Sequence, residues 1–441
     1  MDTFVIALII FAITYVLLFA FPKYRSWVAL GSAVIFTIWL SFIAQDVNYS
    51  VLDSLKAIDF NVLMMIAGTM GIVVLFIESK MPMKIADVLL SKFKTVRASI
   101  VAMAVLAGLV SAFVDNVATV LMIAPIALAV CKKQNLSPVG PIIAIAVSSN
   151  LQGAATLVGD TTAILLGGHL DMNFFDFFFW QGKIGIFWAV EIGAALTALI
   201  LFVIFRKQKG ELTLTDKTEV KDYVPTYLML GVIVLLICAS FIPEPEQEGF
   251  LKTVYNLRNG IICMALLIVG LIINAIRSKN GKMIKQVLKE MDYQTIILLA
   301  SLFIVINGIT AAGVISKLAN LLVTLGNGNV FLMYTIIVFA SVLISAFVDN
   351  IPYVLTMLPV IGSVALTMGC RQEVLMFGLL IGATLGGNIT PIGASANITG
   401  IGILRKEGYE VKAKDFMKIS VPFTLTAVLS GYLIIWLTWG I

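Results

Sequence analysis

Ser111-Ala-Phe-Val-Asp-Asn116 returns without change as Ser345-Ala-Phe-Val-Asp-Asn350, 234 positions further along the chain. The same offset pairs Pro125 with Pro359, Gly153 with Gly387, Thr156 with Thr390, Gly159 with Gly393 and Ile164 with Ile398. Nearer the start of each half the offset is 233, pairing Asp59 with Asp292 and Ala67 with Ala300. An identical hexapeptide whose register then holds across the following segments marks an internal duplication. The halves are 1–205 and 226–441, joined by the charged linker 206–225.

Each half is too apolar for a soluble domain. Hydrophobic residues make up 60% of the chain and charged residues only 12%, about half the charged share of a soluble protein. The mean hydropathy is +1.03. Apolar runs of about 18 residues or more recur throughout, as membrane helices require. Spans are predicted at 3–21, 26–45, 60–78, 139–168 and 183–205, then at 226–242, 259–276, 293–311, 374–404 and 419–440. The first is long enough to be a retained helix and lacks the basic start of a cleaved signal.

The net charge of +5 does not point to nucleic acid, because the basic residues sit in short clusters between apolar runs. These are Lys23/Arg25; Lys80, Lys84, Lys92, Lys94 and Arg97; Lys132/Lys133; Arg206, Lys207, Lys209, Lys217 and Lys221; Arg277, Lys279, Lys282, Lys285 and Lys289; and Arg405, Lys406, Lys412, Lys414 and Lys418. By the positive-inside rule all of them are cytoplasmic, which places both termini outside. Cys131, Cys238, Cys263 and Cys370 show no metal-ligand spacing and read as buried thiols. His169 is the only histidine, which excludes a histidine-based metal centre or triad. No His-Glu-x-x-His or Gly-x-Ser-Gly pattern suggests a membrane enzyme.

Segment 99–131 has basic flanks that both belong inside, so it must enter and leave on one side. At about 1.5 Å per residue it is roughly 50 Å long, too much for one crossing of a ~30 Å core and too little for two. A re-entrant hairpin with Asp115-Asn116 at its tip fits. Five spans per half turn the second copy upside down, so its hairpin, 329–370, opens from the other leaflet and the two tips meet near the midplane. The fold class is therefore an all-α polytopic membrane protein of two inverted five-span repeats, each with a re-entrant hairpin and a discontinuous helix. That is the architecture of alternating-access carriers.

The discontinuous helices are 139–168 and 374–404. The first contains Ser148-Ser149-Asn150, Gln152, Gly153, Thr156 and Gly159-Asp160-Thr161-Thr162; the second contains Gly386-Gly387-Asn388, Thr390-Pro391 and Gly393-Ala-Ser395-Ala-Asn397. Glycine and proline weaken the helix there, and half-helix ends offer N–H groups to anions and carbonyls to cations. Asp115 and Asp349 are costly at membrane depth, about 2.5–3.5 kcal/mol each, and call for a cation, a proton or a partner; the alternative is a plain N-cap of the second hairpin arm. Asp160 has no acidic twin, its equivalent being Ala394. No Arg or Lys lies near the middle of a span, so an anion would depend on helix N-termini and amide or hydroxyl donors. Phe174–Trp180 reads as an interfacial aromatic belt.

These motifs resemble the ion transporter superfamily, specifically the ArsB/NhaD-type permeases, which include the P protein and relatives of citrate and dicarboxylate transporters. The resemblance rests on Ser-Ala-Phe-x-Asp-Asn followed by proline in each half, and on Gly-x-x-Thr-x-x-Gly at each break. It implies Asp115, Asn116, Asp349 and Asn350 in cation or proton sites, with Na+ a candidate there. It further implies that Thr156, Thr161, Asn388, Thr390, Ser395 and Asn397 line the substrate cavity; Asp160, which breaks the symmetry, is read from the residues alone as a candidate for coupling or substrate binding, the alternative being an exposed position near the helix end. A homodimer and an elevator-like movement are also implied. Gly159-Asp160-Thr161-Thr162-Ala163 departs from the Gly-Asp/Thr-Pro-Pro-Asn such families often carry, which counts against a dicarboxylate. The expectation is a secondary carrier in the cytoplasmic membrane for a small anion, oxyanion or organic acid, coupled to Na+ or H+, with no other cofactor. A Na+/H+ antiporter using the aspartates is the alternative. A passive channel is the reading from another class, and no carbonyl-filter repeat supports it.

Overall fold

Helices account for most of the chain. The computed structural model describes every residue except 1, 45, 209, 211–217, 248 and 279–280, and the side chain of residue 278. Lys209, Lys217, Lys279 and most of the linker's centre thus lie outside the described residues. The first half contains α1 (Thr3–Ala20), α2 (Arg25–Phe42), α3 (Val51–Lys56), α4 (Phe60–Glu78) and α5 (Met81–Leu90). It continues with α6 (Val96–Ser111), α7 (Asn116–Lys133), α8 (Val139–Gly153), α9 (Thr161–His169) and α10 (Ile186–Ile204). The second half begins α11 (Val224–Ala239), α12 (Phe250–Asn256), α13 (Arg258–Ser278), α14 (Lys282–Glu290), α15 (Tyr293–Ala311) and α16 (Val314–Gly326). It ends α17 (Val330–Ser345), α18 (Asn350–Met368), α19 (Gln372–Gly386), α20 (Ser395–Lys406) and α21 (Ala413–Ile435). Nine helices are long and apolar enough to cross a membrane, or ten if the bent pair α16–α17 counts as one span, among the described residues.

The same local devices recur at the same places in both halves. Asp59 caps α4 by accepting from the Val62 N–H at 3.0 Å, and Asp292 caps α15 by accepting from Thr295 N–H at 3.0 Å. Thr95 and Asn329 cap the first hairpin arms, α6 and α17. Such a cap stabilises a helix start by about 1 kcal/mol. Pro125 and Pro359 lie inside the second arms, α7 and α18. Helix packing is reciprocal as well: α4 runs along α13, while its counterpart α15 runs along α2. Small residues permit this closeness, Gly68 lying against Cys263 and Gly308 against Phe36. The second pairing forms its own core of Phe36, Trp39, Leu40, Val305 and Ile309.

Several expectations change. The first hairpin covers Val96–Lys133 and not only 99–131, because α6 starts at its Thr95 cap and α7 runs on through Lys132/Lys133. Its second arm is 18 residues long. Helices α5 and α16 were not anticipated; each joins a third span to a hairpin. Phe174 and Phe177 are buried core residues, and Trp180 packs on Phe377 and Trp439, so 174–180 is not simply an interfacial belt. A two-residue ribbon, Phe179–Trp180 with Lys183–Ile184, turns the chain back there. Of the four free thiols, Cys131 and Cys263 are buried, but Cys238 is exposed on the outer face of α11.

Candidate functional site

Each hairpin turns at an aspartate. Asp115 Oδ1 accepts from the N–H groups of Val117 at 2.9 Å and Ala118 at 3.2 Å, and Asp349 Oδ1 accepts from Ile351 N–H at 3.1 Å. Both are therefore N-caps of the second arms. The break in each discontinuous helix then lies against its own hairpin tip. Helix α8 stops at Gly153 and α9 starts at Thr161; α19 stops at Gly386 and α20 starts at Ser395. The Thr156 hydroxyl donates to the Ala112 carbonyl, and the Thr390 hydroxyl to the Ala346 carbonyl.

Asparagines join the two halves at the centre. Asn150 Nδ2 donates to the Thr384 carbonyl at 2.7 Å and to Asn388 Oδ1 at 3.2 Å. Asn388 Nδ2 donates to the Val147 carbonyl at 3.0 Å, and Asn116 Nδ2 donates to Asn150 Oδ1 at 2.8 Å. The hydroxyls of Thr162 and Thr384 are 3.0 Å apart. All of these residues are buried, and a satisfied polar network at such depth fixes one arrangement of the elements that share it.

A cleft of about 470 Å³ reaches this centre, with Asp115, Asn116, Asp160, Thr161, Asn350 and Ser395 among its lining residues. Its opposite wall is apolar where Met70, Val73 and Ile77 of α4 face it, and acidic at Glu290 and Asp292. Val117 and Ile351 line the same cleft, so both hairpin tips border one opening. Asp160 is buried, accepts from the Thr162 hydroxyl at 3.2 Å, and lies within electrostatic reach of Asp115 and Asp349. Arg25, the first residue of α2, donates from Nη1 to Asp349 Oδ2.

Thr156, Asn388, Thr390 and Asn397 are buried behind the cleft wall, their polar atoms engaged largely with backbone. Asn397 Nδ2 donates to the carbonyls of Gly387 at 3.0 Å and Thr390 at 3.1 Å, and its Oδ1 is a buried acceptor without a donor. Glu191 is separate from the cleft and accepts from Gln152 Nε2 at 2.8 Å. Among the described residues no group of three or more His, Cys, Asp or Glu side chains could hold a metal. Arg25 is a site residue that the sequence reading assigned only to a cytoplasmic cluster. The one available signal was the offset of 233, which pairs it with Arg258.

Comparison with known proteins agrees with the resemblance read from the motifs. The profile of the CitMHS family, described as citrate transporter, matches residues 6–382. An uncharacterized transporter of Mycobacterium bovis is 28% identical over 440 residues, 98% of either chain. The human P protein is 25% identical over 452 residues, which span 85% of this chain and 53% of its own. The YdaH transporter of Alcanivorax borkumensis has a TM-score of 0.59 at 16% identity, covering 93% of this chain and 96% of that one. MtrF of Neisseria gonorrhoeae has a TM-score of 0.57 at 12% identity, covering 99% and 94%. These two likenesses are of fold. The matched profile spans most of the chain and describes transporters, not enzymes: this multi-pass membrane protein belongs to the CitMHS citrate transporter family.

Proposed function

We propose that the protein is a secondary-active carrier in the cytoplasmic membrane, moving a small organic anion or oxyanion together with Na+ or H+ by alternating access between two inverted repeats. Both termini are external and the linker 206–225 is cytoplasmic in this reading, so the cleft beside Arg25 opens inward. The observation that carries it is the one-sided cleft ending on two equivalent hairpin tips and two equivalent helix breaks. Substrate sits where the α7, α9, α18 and α20 N-termini converge, the N–H groups of α9 and α20, which no side chain caps, favouring an anion.

Coupling follows from charge. Asp115, Asp160 and Asp349 stand at this centre against the single guanidinium of Arg25. With all four ionised, the surplus is negative, and a bare anion is repelled unless a cation or proton enters with it. A homodimer with elevator-like movement is part of the same proposal. The surplus of carboxylates also favours a second reading, a Na+/H+ antiporter. Uptake of radiolabelled citrate, other carboxylates and oxyanions into proteoliposomes, under imposed Na+ or pH gradients, decides between them. Anion uptake driven by either gradient supports the carrier. Sodium exchange for protons with no anion moved supports the antiporter and removes the anion reading.

A further inference from the structure

Arg25 and Arg258 occupy equivalent places. Each is the first residue of its helix, α2 or α13, and they are 233 positions apart, the offset that also pairs Asp59 with Asp292. The helices they open pack reciprocally, α2 along α15 and α13 along α4. Asp115 and Asp349 are equivalent in the same sense. Yet the four residues are used unequally. Arg25 of the first half holds Asp349 of the second, whereas the mirrored pair, Arg258 with Asp115, is not formed.

Arg258 is instead held by neutral groups. It donates from Nη1 to the Tyr255 carbonyl at 2.8 Å and from Nη2 to Asn173 Oδ1, and it lies over the Tyr255 ring at 3.8 Å. Its Nε is buried with no acceptor, which native folds seldom leave standing. Asp176 is within electrostatic reach, but no carboxylate among the described residues lies in ion-pair range of Arg258.

The clefts are mirrored too. Arg258 faces a second cleft of about 470 Å³, lined by Asp59, Asn61 and Asp171 and by no residue of either hairpin tip. The two clefts lie at opposite ends of α4. Gly260 N–H donates to Asn61 Oδ1 at 2.8 Å at its N-terminal end, and Gln286 Nε2 of α14 donates to Glu78 Oε1 at 2.6 Å at its C-terminal end.

We infer that the two arginines hold the two hairpins by turns: Arg25 binds Asp349 in the state described here, and Arg258 binds Asp115 in the oppositely facing state. The inference rests on the alternating-access reading above. Asp115 now lies against Ile66, Thr69, Met70 and Val73 of α4, whereas Asn350 and Ile351 share their cleft with Thr295 of α15. The counterpart of Thr295 in α4 is Val62. A symmetric exchange carries the first tip from the level of Met70 to that of Val62, about eight residues or roughly 12 Å of helix. One ion pair is made and one broken in each direction, so charge favours neither state and the equilibrium stays poised.

The test uses the full chain in membrane vesicles with its four cysteines replaced by serine. Arg25→Cys/Asp349→Cys and Arg258→Cys/Asp115→Cys are each treated with a short bifunctional thiol reagent, the first pair also reporting that the fold is kept. Both pairs are expected to cross-link. In parallel, Val117→Cys is labelled by an impermeant maleimide from the Arg25 side. Loss of one partly exposed ion pair shifts the state ratio roughly fivefold. From a poised equilibrium, Arg25→Gln therefore slows labelling about threefold and Arg258→Gln speeds it by about 1.7-fold. If Arg258→Cys/Asp115→Cys never cross-links, or Arg258→Gln leaves labelling unchanged, while Val117→Cys still changes sides, the exchange is wrong and alternating access stands. If Val117→Cys never changes sides in any background, both fall.

Discussion

Replacing Gly159 with alanine drives a methyl group into three backbone carbonyls at once. The added Cβ lies 2.5 Å from the Gly153 oxygen, 2.8 Å from that of Ser111 and 2.9 Å from that of Ala112. An ordinary carbon–oxygen contact is about 3.3–3.6 Å, so the tip must retreat by roughly 0.4–1 Å from the broken helix. No flexible side chain can absorb this. Overpacking of this kind costs about 1–3 kcal/mol, and rigid backbone on every side places it at the upper end. The Ala112 carbonyl also accepts the Thr156 hydroxyl, and disturbing that bond adds about 1 kcal/mol. A total near 4 kcal/mol is a large part of ordinary stability. Gly393→Ala meets the equivalent geometry, 2.6 Å from the Gly387 oxygen and 2.7 Å from that of Ala346, and is expected to cost about the same. Gly402→Ala, with nothing within 4 Å of the new methyl, is the control. Thermal unfolding of purified protein in detergent checks all three. Gly159→Ala or Gly393→Ala as stable as Gly402→Ala would refute this packing of tip against break.

Asn150→Ala leaves the Thr384 carbonyl and the Asn388 and Asn116 amides short of partners, a loss of about 2–4 kcal/mol that thermal unfolding will register. Asp115→Asn and Asp349→Asn keep a capping oxygen but lose the charge, so each is expected to insert and fold normally while gradient-driven uptake is abolished or uncoupled; unchanged cation dependence in both would reduce the aspartates to caps. A cysteine at Glu219 is expected to react with impermeant reagent only from the cytoplasmic side, and labelling from outside would overturn the orientation.

The parts of the fold that sequence made legible are those with a local or periodic signal. Apolar runs mark the spans, Gly153, Gly159, Gly387, Pro391 and Gly393 mark the helix breaks, and the repeated hexapeptide marks the tips. Helices α5 and α16 were missed because they are short and carry charges, Lys84 and Asp87 in one and Lys317 in the other, so they read as connections. Phe174 and Phe177 show why composition alone misplaces aromatics: a buried cluster and an interfacial belt look alike in sequence. The central contacts were hidden for a different reason. Asn150 meets Asn388 across 238 positions and Arg25 meets Asp349 across 324, and no local pattern encodes such pairs. Arg25 reads in sequence as a topology signal, and in the structure its side chain turns inward to an aspartate that needs a partner.

The central claim is that one site between the hairpin tips faces the two sides of the membrane in turn. The most direct measurement labels Val117→Cys and Ile351→Cys with impermeant maleimide, separately from each side of oriented vesicles, with the Na+ or pH gradient imposed in either direction. Both positions line the cleft beside Arg25, so both are expected to react from the cytoplasmic side, and reversing the gradient should transfer both together toward the outer side. Equal reactivity from both sides at both positions, indifferent to the gradient, would mean an open pore and contradict the carrier.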